Sequence, residues 1–245
     1  MPELYNTLAW EYLEYSSHDR ETIRHRHRPE IAETARYKVY PDAEKIELPV
    51  EWSLQEARIQ PLLQQRRSLR RYNTTDPLEL SDLSFLLWAS QGITARMGSH
   101  FLRTSPSAGA LYPIETYLVV ENVAGVDSGL YHFDVRHFQL EKLSTTVRST
   151  DAARVCLNQD FIVDAHVVFF WTAVFRRSMA KYGERGFRYL FLDAGHICQN
   201  LLVAAEAIDC GGCPIAAFYD QEANSLLGIS EKNETLVYAA SIGRK

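Results

Sequence analysis

Apolar residues fall into two rhythms along this chain, and the changes between them mark out its elements. Residues 163–174 carry Val and Phe with little polar interruption, which predicts a strand buried on both faces. Residues 116–120, 130–133 and 139–143 predict shorter strands, the last two forming a hairpin around 134–137. Residues 237–242 predict a closing strand. Helical spacing appears at Leu83, Leu86, Leu87 and Ser90, with Ser81 as the expected N-cap and Gly92 as the stop. Residues 61–70 predict a polar helix. Residues 187–208 predict a long helix, apolar nearly all round, that belongs in the middle of the molecule or of a dimer. The sum is an α+β fold with a mostly antiparallel sheet flanked by helices and a long buried central helix. Residues 1–60 differ, being aromatic at Tyr5, Trp10, Tyr12 and Tyr15 and then basic from Arg20 to Arg28. They are expected to form an N-terminal extension packed on a main domain at 61–245.

Composition narrows the function classes. At 245 residues, 46% hydrophobic and 23% charged, the chain can bury a substantial core and is not disordered throughout. With 26 Lys and Arg against 31 Asp and Glu, a net charge of −5 argues against a nucleic-acid binder held by its overall field. The apolar run at 167–174 is too short to span a bilayer. No basic start followed by an apolar stretch opens the chain, so a cytoplasmic location away from any membrane is expected. The run RHRHR at 24–28 invites a nucleic-acid or metal role, but Glu21, Glu30 and Glu33 beside it make a solvated face the expectation. Cys210 and Cys213 form a CxxC without a matching second pair. A Gly-Gly turn between small buried thiols, with no metal, is the expectation there.

Three clusters carry candidate chemistry. Arg66, Arg67, Ser68 and Arg70 offer forked guanidinium donors and a hydroxyl to an anion, and on a helix Arg66 and Arg70 would share a face. Arg103-Thr-Ser105-Pro106-Ser107-Ala-Gly109-Ala-Leu-Tyr112-Pro places small residues between two prolines, so backbone can approach a flat ligand. Lys181-Tyr182-Gly-Glu-Arg185-Gly leads into Asp193-Ala-Gly-His196-Ile-Cys-Gln199-Asn200, where His196, Gln199 and Asn200 form one polar stripe on an apolar helix. That stripe is either a hydrogen-bonded core stripe or a ligand contact.

In this order, and with Gly211-Gly212-Cys213-Pro214-Ile215-Ala216-Ala217 and the closing Gly243-Arg244, the clusters resemble the nitroreductase superfamily of FMN flavoproteins. Within it the chain looks most like the SagB-type dehydrogenases, which include thiazoline/oxazoline dehydrogenases. The resemblance covers about residues 60–243, with 37–49 matching more loosely. It implies FMN held by Arg66, Arg67, Ser68 and Arg70, with Arg244 also near the phosphate. It implies that Ser105, Pro106 and Ser107 are lent to the flavin by a second subunit. Pro214, Ile215, Ala216 and Ala217 would form the turn facing flavin N5, and Gln199 and Asn200 would lie near the interface of a homodimer with shared sites.

The same resemblance assigns catalysis to Lys181 and Tyr182. Aromatising an azoline requires a base for the α-proton and hydride transfer to flavin N5. A free Lys titrates near 10.4, so service as a base near neutral pH asks for a drop of about 3, worth about 4 kcal/mol. Crowding by Arg177 and Arg185 is expected to help, and a Tyr182 phenolate is the other candidate base. Two adjacent side chains reach one substrate only from a turn, which Gly183 and Gly186 permit. Arg177, Lys181 and Arg185 could instead form a solvated cationic face. The implied substrate is a peptide or a carrier-tethered intermediate, with a cyclodehydratase or synthetase as partner. The alternatives are an NAD(P)H-dependent nitro or quinone reductase, and a non-catalytic peptide-binding or scaffold subunit.

Overall fold

The computed structural model describes residues 4–20, 31–32, 34–52, 58–98 and 100–245. The basic run at 24–28 and the acids Glu21, Glu30 and Glu33 lie outside the described residues. The chain begins with α1 (Leu8–Tyr15), β1 (Glu44–Glu47), α2 (Ile59–Gln65) and α3 (Leu80–Gln91). There follow β2 (Ile93–Met97), β3 (His100–Arg103), β4 (Ile114–Val120), β5 (Gly129–Asp134), β6 (Gln139–Ser144) and α4 (Ser149–Val155). The last part holds β7 (Val167–Val174), α5 (Phe175–Tyr182), α6 (Gly186–Ala207), β8 (Cys210–Ile215), α7 (Asp220–Leu226) and β9 (Glu234–Arg244).

Seven strands make one sheet in the order β1-β6-β5-β4-β7-β9-β8, each neighbouring pair antiparallel. β2 and β3 form a separate hairpin. Alternate residues of β7 serve two cores. Val167, Phe169, Trp171 and Ala173 pack with α3 and α6 through Leu83, Leu86, Leu190 and Leu201. Val168 and Phe170 pack on the other face with Ala152, Val155 and Ala223 of α4 and α7. Burial on both faces explains the unbroken apolar run. The strand begins at Val167 rather than 163, because residues 160–162 form a 3-10 turn and the Val163 carbonyl accepts from Ser149 Oγ.

The structure corrects three other expectations. α3 starts at Leu80 with Glu79 as N-cap, so Ser81 lies inside the first turn. α2 ends at Gln65, and Arg66 (φ −50, ψ 116) leads into extended chain, so Arg66 and Arg70 share no helix face. The Gly211-Gly212 segment is strand β8, not a turn, with Cys210 and Cys213 both buried. Burial pushes the Cys210 thiol up to about 12, which removes thiolate chemistry near neutral pH. α6 is the long central helix expected: Leu190, Ala194, Ile197 and Leu201 point into the core and its last turns are buried nearly all round, while Phe191 and Leu192 are 49% and 59% exposed.

Residues before 60 join the sheet itself. β1 extends it beside β6, and Lys45 pairs with Glu141 of β6 at 2.6 Å. Lys38 pairs with buried Glu234 of β9 at 2.6 Å and donates to Tyr117 Oη at 2.5 Å. The Tyr40 N–H donates to Glu141 Oε1 at 3.0 Å. Polar residues of the sheet that would otherwise be buried without a countercharge therefore find their cations in this stretch. At the other end, α1 is tied to the start of α6. Arg188 Nη2 donates to the Leu13 carbonyl at 2.5 Å, and Tyr12 Oη donates to the Glu184 carbonyl at 3.1 Å. Among the described residues no helix is long and apolar enough to cross a membrane.

Candidate functional site

The Arg66–Arg70 cluster lies along the free edge of β8. Ser68 forms a parallel bridge with Gly212, and the Leu69 N–H donates to the Gly212 carbonyl at 2.9 Å. Gly211 makes this approach possible, since a Cβ there would lie 2.8 Å from the Leu69 side chain; a Cβ at Gly212 would instead meet β9, 2.5 Å from the Ser241 carbonyl oxygen. In extended chain, residues at every second position share a side. Leu69 packs on Gly211, whereas Ser68 and Arg70 both act on the Cys213 thiol. Arg67 Nη1 donates to the Arg66 carbonyl at 2.7 Å, and the Arg70 guanidinium stands 5.6 Å from the centre of the Phe161 ring. Among the described residues, none of Arg66, Arg67 and Arg70 pairs with a carboxylate. Arg244 does: it meets Asp82 at 3.0 Å and donates from Nε to the Pro77 carbonyl at 3.1 Å. It lies opposite Cys210 in the β8–β9 ladder, near the Ser68 bridge.

Small residues govern the segment after β3. Ser105 is buried, donates to the Ser90 carbonyl at 2.5 Å and accepts from Asn200 Nδ2 at 3.1 Å. Asn200 also donates to the Ala89 carbonyl at 3.2 Å, so this member of the polar stripe ties α6 to α3, while His196 and Gln199 are exposed. Pro106 is exposed, and Ser107 Oγ donates to Asp193 Oδ2 at 2.6 Å and accepts from the Tyr112 N–H at 2.9 Å. Ser107 therefore has its hydroxyl engaged within the chain. Past β8, Pro214 is half-buried and Ile215 buried, while Ala216 and Ala217 are exposed ahead of α7.

Lys181 and Tyr182 are the last two residues of α5, which Gly183 ends with φ 58 and ψ −147. The helix end answers the geometric condition. The Lys181 Nζ and Tyr182 Oη both bear on Gly109, where a Cβ would lie 2.6 Å from Nζ and would collide with the phenol oxygen. Nζ stands 5.3 Å from the centre of the Tyr182 ring, which packs edge-on against Tyr189 at 5.0 Å. The alternative of a solvated cationic face does not hold. Arg177 is buried and pairs with Glu115 at 2.6 Å, and Arg185 donates to Tyr189 Oη and the Ser16 carbonyl, both at 2.9 Å. Both arginines are engaged by these partners of their own.

Sequence reasoning assigned no role to Asp193, Gly109 or the Arg177–Glu115 pair. Asp193 did leave a signal, as a carboxylate on the buried side of an apolar helix that must find donors. Those donors are Ser107 Oγ and the Ala108 N–H; burial nonetheless holds its carboxyl above the ordinary aspartate range.

The fold and this arrangement define an oxidoreductase of the nitroreductase type. A sequence profile of the Nitroreductase family matches residues 63–244, and the chain belongs to that family. It is 35% identical over 204 residues to a provisionally named nitroreductase of Methanocaldococcus jannaschii, covering 83% of this chain and 98% of that protein. It is 36% identical over 116 residues to trifolitoxin-processing protein TfxB of Rhizobium leguminosarum bv. trifolii, covering 45% of this chain and 31% of TfxB. It is 25% identical over 135 residues to microcin B17-processing protein McbC of Escherichia coli, covering 53% of this chain and 50% of McbC. A crystal structure of a provisionally named nitroreductase from Anabaena variabilis superposes with a TM-score of 0.77 at 28% identity, over 96% of this chain and 45% of that one. A chain of the E. coli microcin synthetase McbBCD complex with truncated pro-MccB17 bound shares the fold, with a TM-score of 0.63 at 20% identity over 83% of this chain and 79% of that one.

Proposed function

We propose that the protein is an FMN-dependent dehydrogenase that oxidises thiazoline or oxazoline rings to thiazole or oxazole in a peptide or carrier-bound intermediate. The observation that carries this reading is the convergence of Lys181 Nζ and Tyr182 Oη on one point, Gly109. An amine and a phenol brought together at a helix end suit removal of a carbon-bound proton. The likeness to peptide-processing proteins TfxB and McbC supports a peptide as substrate and a synthetase complex as partner. We place the protein in the cytoplasm as a homodimer, with the exposed Phe191–Leu192 face of α6 as its contact.

The residues present fit FMN. Among the described residues, three guanidiniums without carboxylate partners stand beside a backbone that Gly211 leaves open, a donor set suited to a phosphate. Arg66, Arg67, Ser68 and Arg70 would hold the cofactor. Arg244 would add a cation that Asp82 already partly balances, with the 105–107 and 214–217 segments flanking the ring. The bound flavin supplies a two-electron acceptor. The chain itself binds and orients the substrate and takes the α-proton on Lys181 or Tyr182, so the azoline loses one proton and one hydride.

An anaerobic titration of the purified protein tests the reading. Bleaching of flavin absorbance by an azoline-containing peptide and not by NADPH is the expected result. Bleaching by NADPH alone would assign a nitro or quinone reductase, and a protein that binds no FMN would assign a scaffold.

A further inference from the structure

The turn that meets Lys181 and Tyr182 is held in an uncommon backbone conformation from both of its ends. Gly109 has φ 63, and the non-glycine residues Ala110 and Tyr112 have φ 53 and 46. Left-handed backbone at such residues is unfavourable and persists only where surrounding structure imposes it. Here α6 imposes it from one end: Asp193 accepts from Ser107 Oγ at 2.6 Å and from the Ala108 N–H. α5 and β3 impose it from the other. Arg177 Nη1 donates to the Tyr112 carbonyl at 3.3 Å, and the Arg103 N–H donates to Tyr112 Oη at 3.0 Å. Within the turn, the Ala110 N–H donates to the Ser107 carbonyl at 3.0 Å and the Tyr112 N–H to Ser107 Oγ at 2.9 Å.

None of these bonds reaches the Lys181 or Tyr182 side chain. Their joint effect is to press the Gly109 backbone against both polar heads. Arg177 lies on α5 one helical turn before Lys181, so one guanidinium fixes the turn and the helix that carries the pair relative to each other.

We infer that Gly109 is a positioning residue, and that the Asp193–Ser107 tie holds it where the absence of a side chain sets the spacing of Lys181 Nζ and Tyr182 Oη. This rests on the proposed dehydrogenase function for its consequence in catalysis, but not for its geometry. Any side chain at 109 must push the two heads apart or push the turn away, and either change alters how they share a proton and a substrate.

The test compares Gly109→Ala and Ser107→Ala with the parent protein and with Lys181→Ala, all as the full chain loaded with FMN. Two quantities are read: single-turnover oxidation of an azoline-containing peptide across pH, and the rate at which acetic anhydride labels Lys181, followed by peptide mass spectrometry. The second needs neither substrate nor flavin. Gly109→Ala is expected to keep its flavin, to lose about 10- to 100-fold in oxidation rate with a displaced pH profile, and to change the Lys181 labelling rate severalfold. Ser107→Ala is expected to shift labelling in the same direction, and it stands in if Gly109→Ala does not fold. Parental labelling and a parental pH profile in the variants would overturn the inference. Absence of azoline oxidation by the parent protein would overturn the dehydrogenase reading instead, leaving the labelling result to decide the role of Gly109.

Discussion

Arg177 closes on Glu115 at 2.6 Å with both side chains about 5% exposed, joining the first turn of α5 to the second residue of β4. His132 meets the same carboxylate at 3.2 Å and Glu141 at 2.8 Å, and Glu141 meets Lys45. A charged chain therefore crosses the sheet from β1 to the helix that ends in Lys181 and Tyr182.

Removing one member of this pair strands a buried charge. Arg177→Ala is expected to lower unfolding free energy by about 3–5 kcal/mol in urea titrations. Arg177→Met combined with Glu115→Leu should cost less than the two single changes together, because no lone charge is left.

Acid should find the same weak point. Burial alone would raise the Glu115 carboxyl, but Arg177, His132 and Arg103 hold it down at about 2, against 4.5 for a free glutamate. Its stabilisation is present above about 4.5 and is lost as pH falls towards 2. A difference of about 2.5 at 1.36 kcal/mol each gives about 3 kcal/mol. Thermal melts from pH 5 to pH 2 should fall steeply, and the fall should be shallower in Glu115→Gln.

Arg66→Gln and Arg70→Gln test the cofactor segment. Losing one charge-assisted bond of about 1.5–3 kcal/mol should weaken FMN binding about 10- to 100-fold. Riboflavin, which lacks the phosphate, should distinguish the positions: a residue on the phosphate leaves its affinity unchanged. Fluorescence titration reads both.

Lys181→Ala and Tyr182→Phe should each lower azoline oxidation by about 10²- to 10⁴-fold. Flavin content and reduction by dithionite should stay at parental levels, as stopped-flow absorbance would show.

Gly212→Ala asks whether the packing of β8 against β9 and α6 needs a glycine. The added methyl meets the Ser241 carbonyl oxygen at 2.5 Å and Leu202 at 3.1 Å. A loss of about 1–3 kcal/mol is expected by chemical denaturation, with weakened FMN binding if the edge of β8 moves.

What could be read in the sequence follows burial. β7 and α3 declared themselves because apolar residues dominate where both faces, or one wide stripe, are covered. β8 did not, since Gly-Gly and a proline carry turn character when nothing shows that two neighbours press on the backbone. β1, with sequence Glu-Lys-Ile-Glu, carried no strand signal because its charges find their partners, Lys142 and Glu141, only on the neighbouring strand. The Lys181-Tyr182 motif was visible, and its partner Gly109 was not, for contact across 72 positions leaves no periodicity. Arg177 and Arg185 left the opposite ambiguity, as regular spacing also allowed a solvated face where the fold supplied Glu115 and the Ser16 carbonyl.

Both ends of the sheet carry chain that is poor in strand character. β1 covers the outer side of β6 as a short charged strand, and the Ser68 bridge covers part of the outer side of β8. An open rim is a template on which foreign backbone can zip up, and proteins that leave one bare tend to clump. The segment beside β8 thus guards colloidal behaviour as well as offering its cations. A chain begun at residue 61 would expose the β6 rim and leave Glu141 and Glu234 without Lys45 and Lys38. Such a chain would still contain the whole family match and would be expected to precipitate for reasons unrelated to its chemistry.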